Sequence, residues 1–258
     1  MQKAVFISDA HLCGEHKEIE EEKERRLLHF LEYTKSRFDT LCICGDLFDF
    51  WFEYRHAVVN RYYKILHKLS SLVDAGIQIH YVAGNHDFWM RDFLAKEVGI
   101  QIHKDVFEAT MNRHRIYAKH GDGIYKKDRG YLLLKAVLQN KFAIQLYRFI
   151  HPDIGVPIAQ FCSNMSRDRT KNREFKGAEA YTAYAQNKLQ DGFDIVVLAH
   201  THYPHLEQLQ GGCYLNLGDW ISHFTFGTIS DKEVTLNEWD DMKNSGKTIK
   251  TIKLLSRK

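Results

Sequence analysis

Five times along this chain, a short apolar run of strand length ends in a cluster of Asp, Asn and His. The run AVFIS leads into Asp9-Ala10-His11, and LCIC into Gly45-Asp46-Leu47-Phe48-Asp49. IHYVA leads into Gly84-Asn85-His86-Asp87, RIYAK into His120-Gly121-Asp122, and IVVLA into His200-Thr201-His202. Runs of four or five apolar residues bounded by turn residues read as buried strands. Their polar ends then gather at one edge of the sheet, where open α/β sheets hold their ligands. Any fold proposed for the chain has to bring these five ends together.

The rest of the first half alternates strand and helix. Strands are expected at Ala4–Ser8, Leu41–Cys44 and Ile77–Val82, with helices at Ile19–Ser36, Asn60–Asp74 and Asp92–Val98. That alternation predicts parallel strands with helical crossovers. Phe107–Met111 and Arg115–Lys119, flanking Asn112-Arg113-His114, read as a hairpin. A helix is expected at Ala178–Gln190, with strands at Ile195–Ala199, Leu206–Gln210, Cys213–Asn216, Phe226–Ser230 and Glu233–Asn237, and a last strand in the tail around Ile249–Leu255. The expected fold class is α/β, a mixed β-sandwich flanked by helices. It forms one domain over residues 1–258 with a helical cap insertion at 125–176.

The insertion differs in character from the rest. From Tyr131 to Ile150, 14 of 20 residues are apolar or aromatic, too many for one face of a surface helix. From Tyr125 to Lys176, 11 Lys or Arg stand against 4 Asp or Glu, although the whole chain carries only +3. Apolar residues Leu132, Leu133, Val137, Phe142, Leu146 and Phe149 can line an acyl groove. Arg167, Arg169, Lys171, Arg173 and Lys176 can meet phosphates or an anionic membrane. The plainer alternative is an apolar helix packed on the domain beneath solvated charges.

No run is long enough to span a membrane, and the opening Met1-Gln2-Lys3 leads straight into a strand rather than a signal-peptide core. Five cysteines with no Cys-x-x-Cys pair suit a reducing compartment. The expected location is therefore the cytoplasm, with the basic cap and tail available to the inner face of the membrane. Cys42 and Cys44 share one strand face and should pack there; Cys13, two residues after His11, is set aside as a ligand because thiolates suit structural zinc better.

Carboxylates, an amide oxygen and several imidazoles suit Mn, Fe, Zn or a similar divalent ion, whereas calcium prefers all-oxygen shells. Asp9, His11 and His202 are assigned to one ion, Asn85, His120 and His200 to a second, and Asp46 to both. Two such ions about 3.5–4 Å apart clamp a phosphoryl group and acidify a shared water, whose hydroxide attacks phosphorus in line. His86 is placed over the substrate phosphate as acid or donor, and Asp49 is expected to fix its tautomer. Each motif alone is weak, since a two-residue His/Asp pattern arises by chance and Gly45 and Gly84 can be ordinary turn glycines.

Together these motifs resemble the calcineurin-like metallophosphoesterase superfamily, D-x-H…G-D-x-x-D…G-N-H-[DE]…H…G-H-x-H, across residues 9–202. Ala199 stands where glycine usually precedes the last His-x-His. The longer stretches Gly45 to Tyr54, Gly84 to Trp89, His120 to Gly123 and His200 to Pro204 are similar to UDP-2,3-diacylglucosamine diphosphatases of lipid A biosynthesis. That resemblance implies hydrolysis of the substrate pyrophosphate to UMP and 2,3-diacylglucosamine 1-phosphate, with manganese as the usual metal; Fe, Zn, Mg and Co remain alternatives. It implies a helical cap that holds acyl chains, and substrate contacts at Asn85, His86, Asp128, Tyr131, Ser166 and Arg173. The best-known branch has arginine where this chain has His86, the general form of the superfamily.

Rival readings are a phosphoesterase for a soluble nucleotide or phosphodiester, and a non-catalytic interaction module on the same fold. A module would have lost ligands, and all seven positions here carry them. A duplex tracker wants a broad polar basic face, whereas these basic residues sit among greasy ones, so no nucleic acid is expected. No obligate protein partner is inferred; the expected partner is a lipid-linked nucleotide substrate.

Overall fold

The computed structural model describes residues 2–12, 17–125, 140–159 and 177–254. Side-chain alternation at period two divides the central strands between separate apolar layers. In β1 (Ala4–Ile7), Val5 and Ile7 pack outward under the helices, while Ala4 and Phe6 face a second sheet. In β2 (Thr40–Ile43), Leu41 and Ile43 take the helix side and Cys42 the inner side. In β3 (Gln78–Val82), Ile79 and Tyr81 face the helices and Val82 faces inward. Strands buried on both faces are mostly apolar, as these are apart from Thr40, Gln78 and His80.

These three strands run parallel with β4 (Gln101–His103). On the other side of β1, β10 (Thr225–Ile229), β11 (Glu233–Asp240) and β12 (Ser245–Lys253) form an antiparallel meander. The seven-stranded order is β12-β11-β10-β1-β2-β3-β4. Its outer face is covered by α1 (Lys17–Thr34) and α2 (Tyr63–Asp74), which contribute Leu27, Phe30, Leu31, Ile65, Leu69 and Leu72.

The second sheet holds β5 (Val106–Met111), β6 (His114–Lys119), β7 (Ile195–Leu198), β8 (Pro204–Leu209) and β9 (Gly212–Leu217) in the order β5-β6-β7-β9-β8. Its inner residues Ile116, Ala118, Ile195, Val197 and Leu215 meet the first sheet, and Val196, Leu198 and Tyr214 face outward. Two packed sheets with helices on their outer faces make the expected α/β sandwich. β1, β2 and β3 are parallel, as are β6, β7 and β9, so the carboxyl ends of each set lie side by side.

Several elements differ from the sequence reading in a physically informative way. The β5–β6 connection is a two-residue turn at Asn112 and Arg113, with φ of 50° and 70°, and His114 belongs to the strand. β4 was not anticipated; three residues with an exposed first position carry no readable alternation. The expected helix at Asp92–Val98 is one π-type turn, Leu94–Val98, closed by Gly99. Within the expected insertion, α3 (Lys141–Tyr147) is capped by Asn140, and 152–159 is helical. Tyr147 packs against Phe52 and Trp89, whereas Phe142 is 74%, Leu146 58% and, just past the helix, Phe149 87% exposed. The other basic and apolar cap positions named above, Leu132, Leu133, Val137 and Arg167 to Lys176, lie outside the described residues, as do Cys13 and Leu255. The final helix, α4 (Ala178–Gln190), packs Tyr181, Ala185 and Leu189 on the outer face of the second sheet. Cys42 and Cys44 lie with sulfurs 3.8 Å apart between the sheets. Among the described residues, no helix is long and apolar enough to cross a membrane.

Candidate metal centre

The loop after β1 runs alongside the loop after β2. Asp9 N–H donates to Gly45 O at 3.1 Å, His11 N–H to Asp46 O at 2.9 Å, and Leu12 N–H to Leu47 O at 3.0 Å. The backbone there is strained. Asp9, His11, Asp46, His200 and His202 have φ of 52°, 42°, 52°, 68° and 61°, and they are five of the nine non-glycine residues with positive φ among those described. Such conformations cost about 1–3 kcal/mol each and persist where surrounding structure enforces them for function. Ala199 needs no such geometry: it is fully buried between the sheets, where its methyl group packs.

Gly45 and Gly84 are more than turn residues. A Cβ on Gly45, whose φ is 84°, would stand 2.6 Å from His120 Nδ1. One on Gly84 would strike Asp46 Oδ1 and lie 2.6 Å from Asp46 N. Both glycines let two ligand-bearing loops touch.

All seven side chains expected as ligands converge. Asp9 Oδ1 lies 3.7 Å from His11 Nε2 and 3.4 Å from His202 Nε2. His120 Nε2 lies 3.1 Å from Asn85 Oδ1, 3.3 Å from Asp46 Oδ2 and 3.2 Å from His200 Nδ1. Asp46 Oδ2 sits between the two groups, since it is also 3.6 Å from His11 Nε2. Donor atoms of Asp9, His11 and His202 lie within 4.8 Å of one another, as do those of Asp46, His120 and His200, and those of His11, Asp46 and His86.

The outward nitrogens are engaged elsewhere. His120 Nδ1–H donates to Cys44 O at 2.8 Å, His11 Nδ1 is 3.5 Å from Asp49 Oδ1, and His202 Nδ1 is 3.5 Å from Asp219 Oδ2. These contacts orient the three rings so that Nε2 of His11, His120 and His202 points inward. Once a cation displaces their protons, these inward nitrogens would present lone pairs beside carboxylate and amide oxygens. Asp9 Oδ1 and His11 Nε2 are buried with no hydrogen-bond partner. A cluster of acceptors of this kind is resolved by cations, and the donor set of carboxylate, amide oxygen and imidazole suits divalent transition ions.

Electrostatics say the same. Burial raises Asp46 and Asp9, but neighbouring imidazoles, His120 first for Asp46 and His202 first for Asp9, outweigh it and hold both below the usual range. Burial lowers His11, yet Asp49, Asp9 and Asp46 push it up to about 9. His120 is likewise depressed by burial and raised well above normal, chiefly by Asp46. His200 is pushed down to about 4 by burial and then by His120. The site is a negative well that draws in positive charge.

Asp49 divides its work differently from the sequence expectation. Its carbonyl, not its carboxylate, receives His86 Nδ1–H at 3.0 Å, while the carboxylate lies nearer His11 Nδ1 than His86 Nδ1, at 3.5 against 3.8 Å. The reason is steric: His86 N–H is bound to Asp46 Oδ1 at 2.9 Å, which fixes the ring beside His11, with centroids 4.6 Å apart and edge-on. Asp87 ties the same loop down, accepting from Gly84 N, Leu47 N and the Tyr81 hydroxyl.

Asp219 was missed in the sequence. It is buried, faces His202 and accepts from Ile221 N, Ser222 N and His223 N at 3.0, 2.8 and 2.9 Å. The signal was available: Gly218-Asp219 follows an apolar strand, just as Gly45-Asp46 does. Asp128, Tyr131, Ser166 and Arg173 lie outside the described residues.

Comparison with known proteins agrees with this picture. The family model for calcineurin-like phosphoesterases matches residues 3–204. A UDP-2,3-diacylglucosamine hydrolase of Porphyromonas gingivalis is 30% identical, over 93% of this chain and 99% of that relative. The Haemophilus influenzae protein of the same name is 26% identical, over 87% of this chain and 93% of that relative. Among solved structures, a Vps29 from Entamoeba histolytica superposes with a TM-score of 0.50 at 16% identity, covering 98% of this chain and 100% of that one, a likeness of fold alone.

Proposed function

Because this chain belongs to the calcineurin-like phosphoesterase family, a metal-dependent group of hydrolases, we propose that it cleaves the pyrophosphate of UDP-2,3-diacylglucosamine. The products are UMP and 2,3-diacylglucosamine 1-phosphate. Relatives carrying that substrate in their names match along nearly their whole length, which supports the assignment. The observation that carries the chemistry is Asp46 Oδ2 lying 3.6 Å from His11 Nε2 and 3.3 Å from His120 Nε2, between two inward-facing donor clusters.

Asp9, His11 and His202 would hold one ion, Asn85, His120 and His200 the other, and Asp46 both. Manganese is the proposed metal. When bound, such ions polarise phosphoryl oxygens and acidify water at neutral pH. His86 is fixed through Nδ1, and burial lowers its pKa. The charge of the pyrophosphate favours its protonated form, which then donates to the departing phosphate.

The insertion over 125–176 is read as a cap for the acyl chains. Exposure of Phe142 and Leu146 on the helix Lys141–Tyr147 and of Phe149 just after it supports this, because a simple phosphatase has no use for such a surface. Asp128, Tyr131, Ser166 and Arg173 are its proposed substrate contacts. A peripheral contact with the anionic inner membrane, through the cap and the lysines of β12, would bring the enzyme to a diacylated substrate.

Release of UMP from UDP-2,3-diacylglucosamine by the Mn-loaded protein tests the reading. Turnover of the acylated substrate should far exceed that of a UDP-sugar lacking acyl chains. Equal turnover, or none with the acylated form alone, would assign the site to a soluble nucleotide.

A further inference from the structure

Lys23 stands out on α1. The inward face of that helix carries Glu20, Leu27, Phe30, Leu31 and Thr34, and among them Lys23 is only 3% exposed. Its Nζ donates to the carbonyl of His11 at 2.9 Å and pairs with Glu20 Oε1 at 2.7 Å. Burying an ammonium is costly, and an apolar side chain of the same length would fill this space at less expense to stability. The contact reaches a strained segment, because Asp9 and His11 hold φ of 52° and 42°. The neighbouring carbonyls are bound by backbone: Asp9 O accepts from Trp220 N and Leu12 O from Asp49 N. The His11 carbonyl is met instead by a charged side chain from the adjacent helix.

We propose that Lys23 is a positioning residue of the metal centre. Its ammonium holds the His11 carbonyl, and through it the left-handed turn that aims His11 Nε2 and Asp9 Oδ1 at a common point. Glu20 balances its charge, so the pair adds hydrogen-bonding force beside the centre without adding net positive charge to compete with a cation. Lys23 itself reaches neither the donor atoms nor substrate. The proposal rests on the two-cation reading of the site and adds to it a helix-borne support.

The test is Mn titration of the full-length protein, followed by calorimetry and by the electron paramagnetic resonance signal of a spin-coupled Mn pair. The wild-type titration decides the two-cation reading independently: a single ion there overturns that reading, and this proposal with it. Lys23→Met is made with Glu20→Gln, so that no unpaired carboxylate is left buried. The expected result is a folded protein that binds its first ion as wild type does. Its second ion should bind about 10- to 100-fold more weakly, the usual effect of removing an outer support, and the coupled signal should vanish at two equivalents. A variant with wild-type affinity for both ions and only a lowered melting temperature would make Lys23 a packing residue and overturn the proposal. If that variant fails to fold, Lys23→Gln made with Glu20→Gln decides, because its amide keeps a donor without the charge. Restored folding with both ions bound supports the assignment; a Gln variant that folds with a weak second ion, or does not fold, overturns it.

Discussion

Metal uptake by this protein should be a proton-exchange reaction. His11 stands at about 9 in the metal-free protein, because three carboxylates outweigh the burial that would lower it. At pH 7 its imidazole is therefore protonated, and a cation entering the Asp9–His11–His202 cluster must expel that proton. With His11 at about 9, apparent affinity for this ion should rise roughly tenfold per pH unit from pH 7 to 9 and then level off. His120 is raised well above its ordinary value and belongs to the other cluster, whereas His200, at about 4, is already neutral. Loading the Asp9–His11–His202 cluster at pH 7 should release about one proton. Calorimetry in buffers of different ionisation enthalpy measures that number directly. The same shift has a consequence for stability. A folded pKa above the unfolded 6.5 stabilises the metal-free protein fully below that value, and this stabilisation disappears as pH rises through about 9. Metal-free protein should thus lose melting temperature toward alkaline pH, while loaded protein should not. Affinity that stays flat from pH 6.5 to 9, with no proton release, would refute the displacement of the His11 proton by an entering cation.

Three substitutions extend the account. Asp219→Asn keeps an oxygen for the three amides it caps but removes the charge behind His202, so Mn affinity should fall about 10- to 100-fold with little change in melting temperature; equal affinity would deny it an orienting role. Gly84→Ala would drive a methyl group into Asp46 and should cost about 1–3 kcal/mol in denaturant unfolding, together with loss of metal; a stable, metal-replete variant would contradict the close approach. His86→Ala should lower turnover about 100-fold or more while leaving metal content at wild-type levels, and a parallel loss of metal would make His86 a ligand instead.

Strand ends were the most legible part of the sequence, because each joins a run of buried residues to a polar cluster and both signals are local. The helix at Ala178–Gln190 was readable to the residue, with Gly177 before it and a turn at Asp191 after it. Other features depend on tertiary placement. Asp219 repeated the strand–Gly–Asp grammar, but its one histidine close in sequence is His223, and the contact that ties it to the site, with His202, is made only in space. Lys23 was hidden among the charges of Lys17–Thr34, where it takes its burial from the packing of α1 against the His11 loop. The role of Asp49 was misdirected by its position three residues after Asp46, a spacing that does not reveal which imidazole its carboxylate meets. β4 lacked both length and alternation.

The account stands on two cations sharing Asp46. Crystals grown with Mn, measured at an energy where manganese scatters anomalously, would locate them without reference to activity. Two peaks about 3.5–4 Å apart are predicted, with Asp46 between them. One ligand group should be Asp9, His11 and His202, and the other Asn85, His120 and His200. A single peak, or a pair with Asp46 bound to neither, would contradict it.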